Sequence, residues 1–97
     1  AKHFLGMAHL VSGNYEKAIA VFKERIAINP TTDLSRAFMA SALGNLGRKD
    51  EARKIWKELK EINPDYSFEN HITKQPFVDP SYAERITEGI NKAGLLD

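Results

Sequence analysis

The three histidines are the side chains of this 97-residue chain best suited to catalysis or metal binding, because the sequence has no cysteine. They are His3, His9 and His71. No two of them have the three- or four-residue spacing that places two metal ligands on one face of a helix. Without a thiol there is also no disulfide or thiolate chemistry. The sequence therefore predicts no metal site, no cofactor and no redox function.

The acidic and glycine-containing segments have a structural explanation as well. Glu16, Asp50 and Glu51 fall in the first turns of predicted helices, where a carboxylate is favoured by the helix dipole. Residues 12–14 and 44–47 are predicted turns, and neither ends in the Gly-Lys-Ser/Thr sequence of a phosphate-binding loop. We therefore predict that this segment is not an enzyme.

The overall charge argues against a nucleic-acid or membrane partner. Fourteen basic residues oppose 13 acidic ones, which gives a net charge of +1. A helix-turn-helix DNA reader remains an alternative, and salt-dependent DNA binding would be its sign. No apolar run approaches the roughly 20 residues of a membrane span, and the first residues do not resemble a signal peptide. We expect a soluble, cytoplasmic protein.

The helices that would position any site follow an internal repeat in the sequence. Residues of the same or similar type recur 34 positions apart, and a fixed period of this length indicates one helical unit stacked on a copy of itself. The pairs are Gly13 and Gly47, Ala18 and Ala52, Phe22 and Trp56, Asn29 and Asn63, and Pro30 and Pro64.

Helical spacing of apolar residues, together with Gly and Asn-Pro ends, predicts six helices. They cover about residues 2–12, 15–28, 34–46, 49–62, 66–73 and 80–93. Asn14, Asp65 and Asp79 are the predicted caps of the second, fifth and sixth helices. Gly94 is predicted to end the last helix and to return Leu95 against Ile90, so that Leu95 is partly buried.

These positions resemble the tetratricopeptide repeat signature. Its residues are Leu5, Gly6, Gly13, Tyr15, Ala18, Phe22 and Pro30, followed by Ala40, Gly47, Ala52, Trp56 and Pro64. The resemblance implies an all-α fold, in which antiparallel helical hairpins form a right-handed superhelix. The expected single domain has repeats at residues 1–30 and 31–64, a partial third repeat at 65–75 and a C-terminal capping helix at 79–97. Phe22 and Trp56 are expected to be core residues between helices, and Tyr82, Ile86 and Ile90 to cover the end of the second hairpin.

The C-terminal stretch PFVDPSYAERITEGINKAGLLD resembles the ending that follows tetratricopeptide repeats in some bacterial class III adenylate or guanylate cyclases and related regulators. This resemblance implies a bacterial signalling protein with a cyclase domain elsewhere. The first residue is Ala1, and a helical pattern begins almost at once without a cap. We expect the chain to be the C-terminal fragment of that longer protein.

By the same resemblance, the first helix of each hairpin lines a binding groove. The expected groove residues are His3, Met7, Leu10, Val11, Leu34, Ala37, Ser41, Asn45 and His71, with Gly44 beside them. Such an apolar surface with a few small polar groups fits a protein or peptide with an apolar segment, or a second copy of the chain. The predicted function is a protein–protein interaction scaffold, serving as a regulatory or oligomerising tail. The alternative is a purely structural cap that closes a longer helical repeat array and has no ligand of its own. The apolar groove residues Met7, Leu10, Val11 and Leu34 would then be covered by the terminal helix or by a missing neighbour.

Overall fold

The computed structural model describes the backbone of residues 2–74 and 79–96, with side chains from Leu5 onward. These residues form six α-helices and no strand. No helix in these two ranges is long and apolar enough to cross a membrane. The helices are α1 (Lys2–Val11), α2 (Tyr15–Ile28), α3 (Asp33–Asn45), α4 (Lys49–Ile62), α5 (Phe68–Thr73) and α6 (Pro80–Lys92).

The first four helices form two hairpins, α1 with α2 and α3 with α4, and α2 packs against α3. Both hairpin turns use a glycine in the left-handed region, Gly13 at φ 83° and Gly47 at φ 79°. The amide that follows each glycine donates a hydrogen bond to a carbonyl oxygen of the preceding helix. Asn14 N donates to His9 O at 2.8 Å, and Arg48 N donates to Leu43 O at 2.9 Å. The 34-residue spacing of these turns is thus reproduced in the backbone.

The core lies between the two hairpins. Phe22 and Phe38 are fully buried, with ring centroids 6.0 Å apart. Gly6 packs against the ring of Phe22, since a Cβ at this glycine would lie 2.7 Å from a ring carbon. The predicted core position of Phe22 is confirmed. The equivalent prediction for Trp56 is wrong in degree, because this side chain is only partly buried.

Trp56 is less covered because α5 is short. Its ring meets Tyr66 edge-on at 5.7 Å and Phe68 at 6.4 Å between ring centroids, and α5 ends at Thr73. Ser67, rather than the predicted Asp65, caps this helix by accepting a hydrogen bond from the backbone N of Asn70.

The last helix has the predicted ends. Asp79 caps α6 by accepting from the backbone N of Ser81, and Pro80 occupies the first turn. At the other end Gly94 has φ 69°, and Leu95 N donates to Ile90 O at 3.2 Å. Leu95 is partly buried, as predicted. In contrast, Asn14 precedes α2 without making a side-chain cap hydrogen bond.

Candidate functional site: an inner groove filled by the last helix

The closest approach of α6 to the rest of the molecule is a crossing of two glycines on α3 and α6. A Cβ built on Gly44 would lie 1.8 Å from the carbonyl oxygen of Gly89, and a Cβ built on Gly89 would lie 2.0 Å from the carbonyl oxygen of Ser41. Both contacts are with backbone atoms, which cannot move aside as a flexible side chain can. The two helix backbones are therefore in direct contact, and only glycine fits at either position.

Polar side chains of α3 bind the backbone of α6 on either side of this crossing. The hydroxyl of Ser41 donates to the carbonyl oxygen of Ile86 at 2.6 Å, and both groups are buried. Nδ2 of Asn45 donates to the carbonyl oxygen of Arg85 at 3.2 Å, and also to that of Ser41 at 3.2 Å. Each is a hydrogen bond to a main-chain acceptor, so it depends on the position of the α6 backbone rather than on its side chains.

Two arginines link α6 to the hairpins. Nη1 of Arg85 donates to the carbonyl oxygen of Val11 at 2.8 Å, and Nε of Arg53 donates to the carbonyl oxygen of Ala93 at 3.1 Å. Val11 ends α1 and Ala93 follows the last turn of α6, where carbonyl groups lack partners within the helix. Each arginine thus satisfies an orphan carbonyl while holding α6 against its neighbours.

Hydrogen bonds join α6 to the predicted groove residues Val11, Ser41 and Asn45. Leu10, Ala37 and Ser41 are fully buried, and Met7, Val11 and Asn45 are partly buried. Leu34 is 38% exposed. His3 lies in α1, and its side chain is outside the described residues. In this structure α6 therefore occupies the part of the α3 surface around Ser41 and Gly44.

The position of α6 differs from the predicted lid. Ile86 and Ile90 are fully buried, as expected, whereas Tyr82 remains 37% exposed. The helix crosses the inner face of α3 and does not cover the end of the second hairpin, where α5 lies against Trp56. The reason is the small side chains on α3, which allow the close approach.

His71, the remaining predicted groove residue, takes part in a separate cluster. Its Nδ1 is hydrogen-bonded to the Tyr66 hydroxyl, and its ring centroid lies 5.1 Å from that of Phe38. Its buried Nε2 has no hydrogen-bond partner among the described residues. Burial lowers the pKa of His71 below its ordinary value, and the Asp33 carboxylate opposes that shift. Burial also raises the pKa of Tyr66. Both groups are therefore neutral near pH 7.

Two acidic residues in the first turns of helices, Glu16 and Glu51, form ion pairs with the same arginine. Arg48 contacts Glu16 at 2.8 Å and Glu51 at 2.6 Å, and it joins the turns of the two hairpins. The hydrogen bond from Arg48 lowers the pKa of the Glu51 carboxyl. Both pairs are solvent-exposed, and the pair with Glu16 links the two hairpins. Among the described side chains, those of residues 5–74 and 79–96, no three from His, Asp or Glu are placed to hold a metal ion.

Sequence reasoning missed Gly89, although a signal was present. A glycine inside an amphipathic helix, between Ile86 and Ile90, is unfavourable for helix formation by about 1 kcal/mol relative to alanine. Its presence there indicates a close backbone approach. The roles of Arg53 and Arg85 had no comparable signal, because an arginine on a helix is most often a solvated side chain.

The comparison with known proteins agrees with the two hairpins and their glycine turns. A family model described as tetratricopeptide repeat matches residues 9–68, which is more than half of the chain. No curated protein and no solved structure shows significant similarity to it. The chain belongs to the tetratricopeptide repeat family.

Proposed function

We propose that this tetratricopeptide repeat domain binds an amphipathic helix in the groove formed by α1 and α3. Repeats of this family act as protein-interaction scaffolds. The observation that supports the finer proposal is the seating of α6, since this helix of the chain itself packs against α3 at backbone contact distance. The ligand is a helix with a glycine at the crossing and branched apolar side chains beside it, namely Gly89 with Ile86 and Ile90.

The groove has the properties of a helix receptor. Its floor at Ser41 and Gly44 is small enough for a second backbone to reach contact distance. Ser41 and Asn45 then supply hydrogen bonds to the main chain of the bound helix. An apolar helix face docked in a groove is a common mode of peptide recognition, in which a few side chains provide most of the affinity.

Binding of a separate α6 peptide to a full-length variant tests this proposal. The Gly89→Ala variant of the full chain cannot seat its own α6, because the added Cβ would collide with the carbonyl oxygen of Ser41. A labelled peptide of residues 79–96 retains Gly89 and should bind the vacated groove. Fluorescence anisotropy should show saturable binding. A peptide carrying Gly89→Ala is the control and should not bind.

The structural-cap function is the second candidate, and one observation favours it. Ile86 and Ile90 belong to the same apolar cluster as Phe22 and Phe38, so α6 completes the core. If α6 is a structural cap, the peptide should fail to bind the Gly89→Ala variant, and the variant should lose its cooperative unfolding transition.

A regulatory or oligomerising tail of a cyclase-like signalling protein is a narrower version of the proposal. It is supported only by the resemblance of residues 76–97, which lie beyond the residues 9–68 that the family model matches. The reading frame upstream of Ala1 is its test. A nucleotide cyclase domain there would support it, and an unrelated domain would contradict it.

A further inference from the structure

We propose that α6 is an autoinhibitory ligand, which keeps the groove closed to helices of other proteins until one of them replaces it. This inference rests on the proposed function, since it concerns the regulation of the same groove. It adds that a partner helix and α6 compete for the groove, and it specifies the sequence pattern of the partner helix.

The first observation is that α6 is not part of a hairpin. The pairs α1–α2, α3–α4 and α2–α3 pack directly on one another, whereas α6 packs mainly on α3 and touches α1 at one end. Departure of α6 would therefore leave every contact within and between the two hairpins in place. An exchangeable helix must satisfy this condition.

The second observation is that the hydrogen bonds donated from α3 to α6 end on main-chain oxygens. Ser41 and Asn45 donate to carbonyl oxygens of the helix, and these acceptors exist in any helix. The only strict side-chain requirement at the crossing is the absence of a Cβ at Gly89. A helix from another protein can therefore reproduce these contacts if it carries glycine at the same place.

The third observation is that α6 and a second helix cannot share the groove. The face of α6 directed away from α3 is polar, with exposed residues Glu84, Glu88 and Asn91. It offers no apolar surface on which a partner helix could dock above it. A partner that uses Ser41 and Gly44 must displace α6.

Together these observations specify the partner. It is an amphipathic helix with a branched apolar residue three positions before a glycine, another directly after it and a small residue four positions after it. In this chain the pattern is Ile86, Gly89, Ile90 and Ala93. Because α6 is attached to the groove that it occupies, its effective concentration is high, and the apparent affinity of any competing helix is reduced accordingly.

Autoinhibition can be tested by measuring how tightly one probe, the labelled peptide of residues 79–96, binds to three full-length chains. In the wild-type chain, α6 occupies the groove. Gly89→Ala opens the groove but leaves its floor intact. Gly44→Ala also prevents α6 from docking, since its Cβ would collide with the carbonyl oxygen of Gly89, and it blocks the peptide in the same way. We expect Gly89→Ala to bind at least tenfold more tightly than wild type, and Gly44→Ala not to bind.

The outcomes separate this inference from the proposed function. Equal binding by wild type and Gly89→Ala would overturn autoinhibition while leaving the groove a helix receptor. No binding to any chain would overturn both. Binding to Gly44→Ala as tight as that to Gly89→Ala would place the peptide at another surface and would also overturn the inference.

A measurement on the unmodified chain covers the case in which Gly89→Ala does not fold. In native-state hydrogen exchange, the amides of α6 should exchange through a partial opening, ahead of the amides of α3 and α4. Exchange of α6 only together with global unfolding would overturn autoinhibition, because the helix would then never leave the groove of a folded domain.

Discussion

The inner faces of α1 and α3 occupy the same register of the repeat but have opposite character. In the first hairpin the positions are filled by Met7, Leu10 and Val11, and 34 residues later they are filled by Ser41, Gly44 and Asn45. Large apolar side chains keep a neighbouring backbone away from α1. Small and polar ones allow α6 to touch the backbone of α3 and to form hydrogen bonds with it.

The aromatic position of the repeat differs in a similar way. Phe22 is fully buried because α3 of the next hairpin covers it, whereas Trp56 is followed only by the six-residue helix α5 and stays partly exposed. The repeat register thus determines which positions face a neighbour. The identity and length of that neighbour determine how deeply they are buried.

The largest expected effect comes from Phe22→Ala. A fully buried phenylalanine leaves a cavity, and its loss should lower the free energy of unfolding by about 3–5 kcal/mol. Trp56→Ala should cost roughly half as much, because its side chain is partly exposed. Chemical denaturation monitored by circular dichroism measures both. Equal losses would contradict the difference between the two hairpins.

Gly44→Ala should have the next largest effect. Alanine favours an isolated helix over glycine by about 1 kcal/mol, but at this position its Cβ meets the backbone of Gly89. We expect a net loss of about 1–3 kcal/mol in the free energy of unfolding. Thermal melts will show it as a lower midpoint. A rise in the melting temperature would mean that α6 does not approach α3 closely.

Ser41→Ala isolates the polar part of the same contact. The change removes the 2.6 Å hydrogen bond and leaves the carbonyl oxygen of Ile86 without this partner. The expected loss is about 1 kcal/mol. Ser12→Ala in the exposed turn after α1 is the matched control and should leave the denaturation midpoint nearly unchanged. Equal midpoints for the two variants would show that the Ser41 bond contributes nothing.

The smallest effect is a pH dependence that arises from His71 of α5, whose ring packs against Phe38 of the second hairpin. Because burial lowers the pKa of His71 in the folded state, the unfolded chain takes up the proton first as the pH falls. The stabilising contribution is complete above about pH 6.5 and is lost as the pH drops from there toward the lower folded-state pKa.

Denaturation of wild type and His71→Gln at about pH 7.5 and about pH 5.5 measures this effect. Wild type should lose more stability on acidification than the variant does. Identical losses would show that His71 titrates alike in the folded and unfolded chains.

Most of the architecture could be predicted from the sequence because its signals are local. Glycines at a fixed spacing, Asn-Pro helix ends and the Asp79-Pro80 start specify hairpins and helix bounds independently of what packs on them. The occupant of the groove could not be derived in the same way. It depends on the pairing of Gly44 with Gly89, which lie 45 positions apart and outside the repeat period.

The burial of Trp56 was misjudged for the same physical reason. The register placed it between helices, and the shortness of α5 decided how much of the ring is covered. The groove residues remain a prediction as far as a partner is concerned. What the structure adds is that Leu10, Ala37 and Ser41 are buried in the chain as it stands.

The backbone contact between α6 and α3 in the inner groove can be measured by nuclear Overhauser spectroscopy on the full chain. We expect cross-peaks from the Gly44 Hα protons to the Hα protons of Gly89 and to the methyl group of Ala93, whose Cβ lies 3.3 Å from a Cβ built on Gly44. Absence of these cross-peaks in a folded domain, with α6 packed elsewhere or detached, would contradict this contact.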